Sequence, residues 1–114
     1  MVYTPDKRQC LILGNINYDA IRWTVQDANG NTKVKGFLDL LAVQDDMEVF
    51  SRNIQQYGFD EDMDIIEKKN LSLAAVKKVL AGFQRRIADN ADSNKKTLTI
   101  VYYGGHGMMK DNYS

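Results

Sequence analysis

The 114-residue chain carries fifteen basic and fifteen acidic side chains, so its formal net charge at pH 7 is zero. This balance gives no support for binding to nucleic acid or to an anionic membrane surface. Hydrophobic residues make up 44% of the sequence, which suits one soluble globular domain. No apolar run approaches the ~20 residues that span a bilayer, and the first residues contain no apolar signal core. We therefore expect a cytoplasmic location.

Cysteine and histidine each occur once, as Cys10 and His106. A single cysteine excludes an internal disulfide and a cysteine-rich metal site, and a single histidine argues against a histidine-based one. The acidic run at 60–62 lacks the ligand spacing of a calcium loop, so we interpret it as a solvated turn. The sequence thus predicts neither a bound metal nor an organic cofactor.

The predicted domain covers residues 9–114, after a loose lead-in at residues 1–8. A continuous apolar run at 10–13, closed by Gly14, is typical of a strand that is buried on both faces. Residues 19–36 follow without a clean hydrophobic period and contain a strong turn signal, so we predict a long surface loop. Trp23 in this loop either binds a ligand or folds back onto the core.

The middle of the chain predicts two helices with a strand between them. The first helix covers about residues 41–57 and stops at Gly58; its predicted buried face is Met47, Phe50, Ile54 and Tyr57. A short strand is predicted at 63–67. Asn70 or Ser72 can cap the second helix by accepting a hydrogen bond from its first turn. The predicted buried stripe of the second helix is Val76, Leu80, Phe83 and Ile87.

The last predicted strand, at 97–103, is rich in β-branched and aromatic residues and runs into Gly-Gly-His-Gly. Strand, helix, strand, helix, strand is the order expected for a mostly parallel sheet with helices on both faces, a three-layer α/β sandwich. His106 then lies in a small loop at the carboxyl end of a strand, the edge where open α/β sheets bind ligands. A tight turn that happens to contain histidine is the alternative interpretation.

Three stretches resemble the first half of a caspase-type cysteine peptidase domain. They lie at 11–18, 42–59 and 100–107, and they are more similar to metacaspases and bacterial caspase-like proteins than to animal caspases. Gly104 stands where the family usually has serine. The resemblance implies a caspase-like sandwich, truncated after its third core strand and equivalent to the N-terminal part of a p20-type domain.

The resemblance also implies roles for individual residues. His106 corresponds to the catalytic histidine, and the backbone N–H of Gly107 to a donor of the oxyanion hole. Asp45 or Asp46 occupies the place where metacaspases bind the arginine or lysine of a substrate. Alternatively, both carboxylates only complement the helix dipole. Residues 37–50 contain no arginine or lysine, so specificity for aspartate is not supported.

The nucleophile is absent from its expected place, because the caspase cysteine follows the histidine by roughly 50 residues. Cys10 opens the first strand, a distance on the order of 20 Å from His106, so we predict that it is a small buried hydrophobe. We expect the chain alone not to hydrolyse its peptide or protein substrate. The missing C-terminal half or a partner chain would pair with the exposed edge of the strand at 97–103.

Two other functions stay open at this point. The chain could be a non-catalytic caspase-like interaction module, which keeps the fold without the nucleophile and binds partners through its sheet edge or its 19–36 loop. It could also be an unrelated doubly wound domain that binds an anion through its glycine-rich loop. The second possibility lacks the glycine fingerprint expected after the first strand.

Overall fold

The computed structural model describes residues 4–18 and 22–106. Within these ranges the helices and strands are, in chain order, β1 (Lys7–Gly14), β2 (Arg22–Gln26), β3 (Thr32–Gly36), α1 (Leu41–Gln55), β4 (Ile65–Lys69), α2 (Leu73–Asn90) and β5 (Thr97–Gly104). None of the described helices has the length and apolarity needed to cross a lipid bilayer.

Strands β4, β1 and β5 form a parallel sheet in that spatial order. Cys10 in the central strand pairs with Ile65 of β4 and with Ile100 of β5. This confirms the predicted parallel sheet, although β1 begins at Lys7 and so includes the last two residues of the predicted lead-in. In the described part of the chain β5 pairs with β1 alone, so it is an edge strand of this sheet.

The two helices cover opposite faces of the sheet, because side chains alternate along β1. Cys10 and Ile12 pack with Met47 of α1, whereas Leu11 and Leu13 pack with Phe83 of α2. The result is the predicted three-layer arrangement, with β1 in the middle layer. All residues of β1 from Gln9 onward are buried, which explains why this strand is a continuous apolar run rather than an alternating one.

Helix α1 starts where predicted and ends two residues earlier than predicted. Met47 and Ile54 are buried, and Phe50 stacks on Tyr102 of β5 with ring centroids 4.5 Å apart. Tyr57 was predicted on the buried face but is 73% exposed, because the helix has already ended in a turn. Gly58 follows with φ of 92°, a left-handed conformation that favours glycine and stops the helix.

Strand β4 begins two residues later than predicted, and Met63 lies outside it with 71% of its surface exposed. The Asp60 carboxylate accepts hydrogen bonds from the N–H groups of Asp62 and Met63. The N–H of Asp64 donates to the carbonyl of Asp60. These bonds extend the acidic turn at the expense of the strand.

Of the two residues proposed to cap α2, only Ser72 does so. The Ser72 hydroxyl accepts the N–H of Ala75 and caps the helix. The side-chain oxygen of Asn70 instead accepts the N–H groups of Ile16 and Asn17, at 2.8 and 3.0 Å. Asn70 therefore fixes the segment that leaves β1.

The buried stripe of α2 is narrower than predicted. Val76 and Phe83 pack on the sheet as expected, and Val79 joins them. Leu80 and Ile87 were predicted to be buried but are 40% and 37% exposed. The core residues that this helix contacts come from β1 and β4, so its side nearer β5 is left uncovered.

The prediction of a long loop at residues 19–36 is wrong, because most of this segment forms an antiparallel hairpin of β2 and β3. The Asp27 carboxylate closes the turn by accepting the N–H groups of Asn29 and Asn31. Trp23 packs on Phe37, with ring centroids 5.1 Å apart, and does not join the core. No residue of β2 or β3 is buried, and the polar–apolar alternation of β2 rests on Trp23 and Val25 alone.

Candidate active site

His106 lies two residues beyond β5, at the edge of the sheet where β1 also ends. Its backbone N–H is 2.8 Å from the hydroxyl oxygen of Tyr18, to which it donates. The ring is half-buried and remains partly accessible to solvent. The imidazole therefore lies at the carboxyl end of a parallel strand, as the sequence predicts.

The orientation of the imidazole is set by the Leu38 carbonyl, which lies 2.8 Å from Nε2 of His106. A carbonyl oxygen can only accept a hydrogen bond, so Nε2 carries the proton in this arrangement. In the neutral ring, Nδ1 then has a free lone pair. The nitrogen available for proton transfer is thus Nδ1.

Two aromatic rings hold the imidazole in place. Phe37 stacks on it with a centroid distance of 4.6 Å and an interplanar angle of 26°. Tyr18 contacts it edge-on, with a centroid distance of 4.5 Å and an angle of 80°. These contacts leave His106 little freedom to rotate.

Tyr18 itself is buried and fixed by the loop before α1. Its backbone N–H donates to the Asp39 carboxylate at 2.7 Å, and the N–H of Leu40 donates to the Ile16 carbonyl at 2.8 Å. These two hydrogen bonds connect the segment after β1 to the segment before α1, next to His106. Neither Tyr18, Phe37 nor Leu38 was assigned a role from the sequence, although Tyr18 belongs to the first family-like stretch.

The glycines before His106 lie in crowded surroundings. A Cβ atom on Gly105 would lie 2.5 Å from the Tyr103 hydroxyl oxygen and 2.9 Å from that of Tyr18. A Cβ on Gly104 would lie 3.0 Å from a methyl of Val43, so the serine that is usual in the family would press on α1. The local substitution of glycine for serine agrees with this tight packing.

The sequence was compared with protein families, curated proteins and solved structures. A family model described as the caspase domain matches residues 7–114, which is nearly the whole chain. The chain belongs to the caspase-domain peptidase family. No curated protein and no solved structure matches it. As a member of this family, the chain is related to cysteine peptidases, whose substrates are proteins.

The caspase reaction needs a cysteine thiolate, and Cys10 is poorly placed to supply one. It pairs with Ile100, four residues before the end of β5, which is about 13 Å along the strand. Its side chain is fully buried in the α1 core, as predicted. Burial raises the pKa of its thiol from 9.0 to about 11, which suppresses the thiolate further.

Geometry defines the other residues to which the resemblance assigns a role, Asp45, Asp46 and Gly107, less well than it defines His106. Asp45 and Asp46 are exposed on the second turn of α1, and no acidic residue lies in its first turn. The dipole interpretation of these carboxylates is therefore weakened, because that effect fades beyond the first turn. In the described part of the chain, no hydrogen bond or ion pair joins either carboxylate to His106. Gly107 lies outside the described residues.

Proposed function

We propose that this chain is the histidine-bearing N-terminal part of a caspase-type cysteine endopeptidase of the metacaspase or bacterial branch, acting in the cytoplasm. The observation that carries the proposal is the fixed orientation of His106. Its Nε2–H is held by the Leu38 carbonyl, and its Nδ1 is left for chemistry. A histidine retained only for a tight turn would need neither this partner nor the stacking on Phe37.

In the proposed reaction, Nδ1 of His106 takes the proton of a cysteine thiol and later gives it to the leaving amine of the substrate. The Leu38 carbonyl stabilises the imidazolium that forms in between, because Nε2–H continues to donate to it. The thiolate sulfur attacks the peptide carbonyl, whose oxygen becomes negatively charged. The N–H of Gly107 is assigned to stabilise that oxyanion.

The attacking sulfur must come from a polypeptide other than residues 1–114, because Cys10 is buried and remote from His106. The edge strand β5 offers the place where that polypeptide would join. Val101 and Tyr103 are 58% and 55% exposed on its α2-facing side. Apolar edge strands of this kind are normally covered by a further strand or helix.

The substrate preference assigned to the completed site is for arginine or lysine. Asp46 or Asp45 would form an ion pair with the basic side chain, since both are exposed at the N-terminal half of α1. Such a pair discriminates by charge, so a substrate with aspartate at the same position would be repelled.

The experiment expresses the longest natural reading frame that contains residues 1–114, next to the 114-residue chain alone. We expect the first to cleave arginine- or lysine-containing reporter peptides and the second to be inactive. Substituting His106→Gln in the longer protein should reduce kcat at least about 100-fold. Cleavage that is independent of His106 would contradict the proposal, and absence of any cleavage by the longer protein would favour the non-catalytic interaction module.

A further inference from the structure

The β2–β3 hairpin has little support from the rest of the molecule. All five residues of β3 are exposed, and β2 alternates between exposed and half-exposed residues. A two-stranded hairpin without a buried face is only marginally stable in water. Among the described residues, Trp23 contacts Phe37 and the Arg22 guanidinium donates to the Tyr18 carbonyl, but no residue of β2 or β3 is buried.

One face of the hairpin combines aromatic, apolar and basic side chains. In the antiparallel register, Trp23 lies opposite Lys35 and Val25 lies opposite Lys33, so these four residues share one face. We call them the Lys–Trp face. The face is continuous with the candidate site, because Trp23 contacts Phe37 and Phe37 stacks on His106.

The two lysines of the Lys–Trp face have no anionic partner among the described carboxylates. The nearest acidic residue of the hairpin, Asp27, is occupied by the backbone N–H groups of its own turn. Lys33 and Lys35 are two residues apart on one strand, a spacing of about 7 Å. Alternate side chains of an extended peptide have the same spacing.

Among the described residues, β3 pairs only with β2, so its outer edge is open within residues 4–18 and 22–106. The other backbone hydrogen bonds of the hairpin lie in its turn, from Asp27 to Asn31 and from Gly30 to Asp27. An added strand could pair with this edge, and its side chains would then lie beside those of β3. Backbone pairing would provide affinity, and the two lysines would favour a peptide with negatively charged side chains.

We propose that the Lys–Trp face is a docking surface for an extended, acidic polypeptide segment. The segment adds to the edge of β3, places acidic side chains at alternate positions beside Lys33 and Lys35, and runs toward His106. A nucleic acid is less suited, because the chain has no net charge and the face has only two basic residues. Docking does not require cleavage, so it can be tested separately from the peptidase proposal.

The test uses a soluble eight-residue peptide in which glutamate alternates with threonine, and a matched peptide with glutamine in place of glutamate. Trp23 is the only tryptophan, so its fluorescence reports on this face alone. We expect the glutamate peptide to bind at least tenfold more tightly than the glutamine peptide in low salt. The double variant Lys33→Gln/Lys35→Gln should lose that difference.

The matched control is Lys77→Gln/Lys78→Gln, which removes the same charge from exposed positions of α2. It should bind the glutamate peptide like the unmodified chain, and circular dichroism should show all variants folded. Equal affinity for the two peptides, or an equal loss in both double variants, would overturn the proposal. So would tighter binding of a single-stranded oligonucleotide, or self-association that changes Trp23 fluorescence in the absence of peptide.

Discussion

At the level of single residues, the imidazole of His106 depends on groups that come from far away in the sequence. Tyr18 precedes it by 88 positions and Leu38 by 68. The position of His106 in a loop could be predicted, because the glycines around it favour a loop after the strand. The partner of its Nε2 could not be predicted, because this partner is a backbone carbonyl and every residue has one.

Replacing Tyr18 with phenylalanine should make His106 more mobile without creating a cavity beside its ring. The backbone N–H of His106 loses its acceptor, while the ring contact is kept. We expect a loss of about 1 kcal/mol in the free energy of unfolding and faster hydrogen exchange at the His106 amide, measured by NMR. The control Tyr57→Phe removes a hydroxyl from an exposed ring and should change neither quantity. Unchanged exchange at His106 in Tyr18→Phe would contradict this assignment.

Cys10 should make the folded state less stable at high pH. Burial raises its thiol pKa from 9.0 to about 11, so above pH 9 the unfolded chain loses a proton that the folded chain keeps. Between pH 9 and 11 the free energy of unfolding should therefore fall, by on the order of 2 kcal/mol from this group. Urea titrations of the unmodified chain and of Cys10→Ala should show a steeper decline for the former. Parallel declines would mean that the thiol ionises normally in the folded state.

At the level of helices and strands, prediction succeeded where burial imposes a pattern. The central strand β1 and the edge strand β5 were located because apolar and β-branched residues dominate them. The hairpin of β2 and β3 was missed, because β3 is exposed throughout and the alternation in β2 is limited to Trp23 and Val25. The width of the buried stripe on α2 also could not be predicted, since it depends on which strands the helix covers.

Helix α2 should depend on its N-terminal cap. The Ser72 hydroxyl accepts the N–H of Ala75 at 3.2 Å, which satisfies one of the free donors of the first turn. Ser72→Ala should lower the free energy of unfolding by about 1 kcal/mol, measured by urea denaturation. Ser93→Ala, in the exposed turn after the helix, should have little effect. If the two variants were equally stable, the cap would contribute nothing.

At the level of the whole molecule, the three-stranded sheet has an uncovered side at β5. Val101 and Tyr103 of β5 are exposed, and so are Leu80 and Ile87 of α2. That another strand or chain completes the sheet stays a prediction. In the absence of such a partner, the same surface should promote self-association.

Placing a charge on that edge should suppress self-association of the 114-residue chain. Val101→Lys puts an ammonium group on an exposed position of β5, where it opposes pairing with a second copy. Sedimentation velocity should show less oligomer than for the unmodified chain at the same concentration. Val49→Lys adds the same charge to an exposed position of α1 and should leave the oligomer unchanged. A chain that is monomeric at high concentration without any substitution would contradict this expectation.

His106 is held with Nε2–H toward the Leu38 carbonyl, which leaves the lone pair of Nδ1 free for the proton of a thiol in the proposed reaction. The chain has one histidine, so the nitrogen spectrum of the ¹⁵N-labelled protein contains one imidazole. This arrangement predicts that the neutral ring is the tautomer protonated at Nε2. Observation of the tautomer protonated at Nδ1 would contradict it.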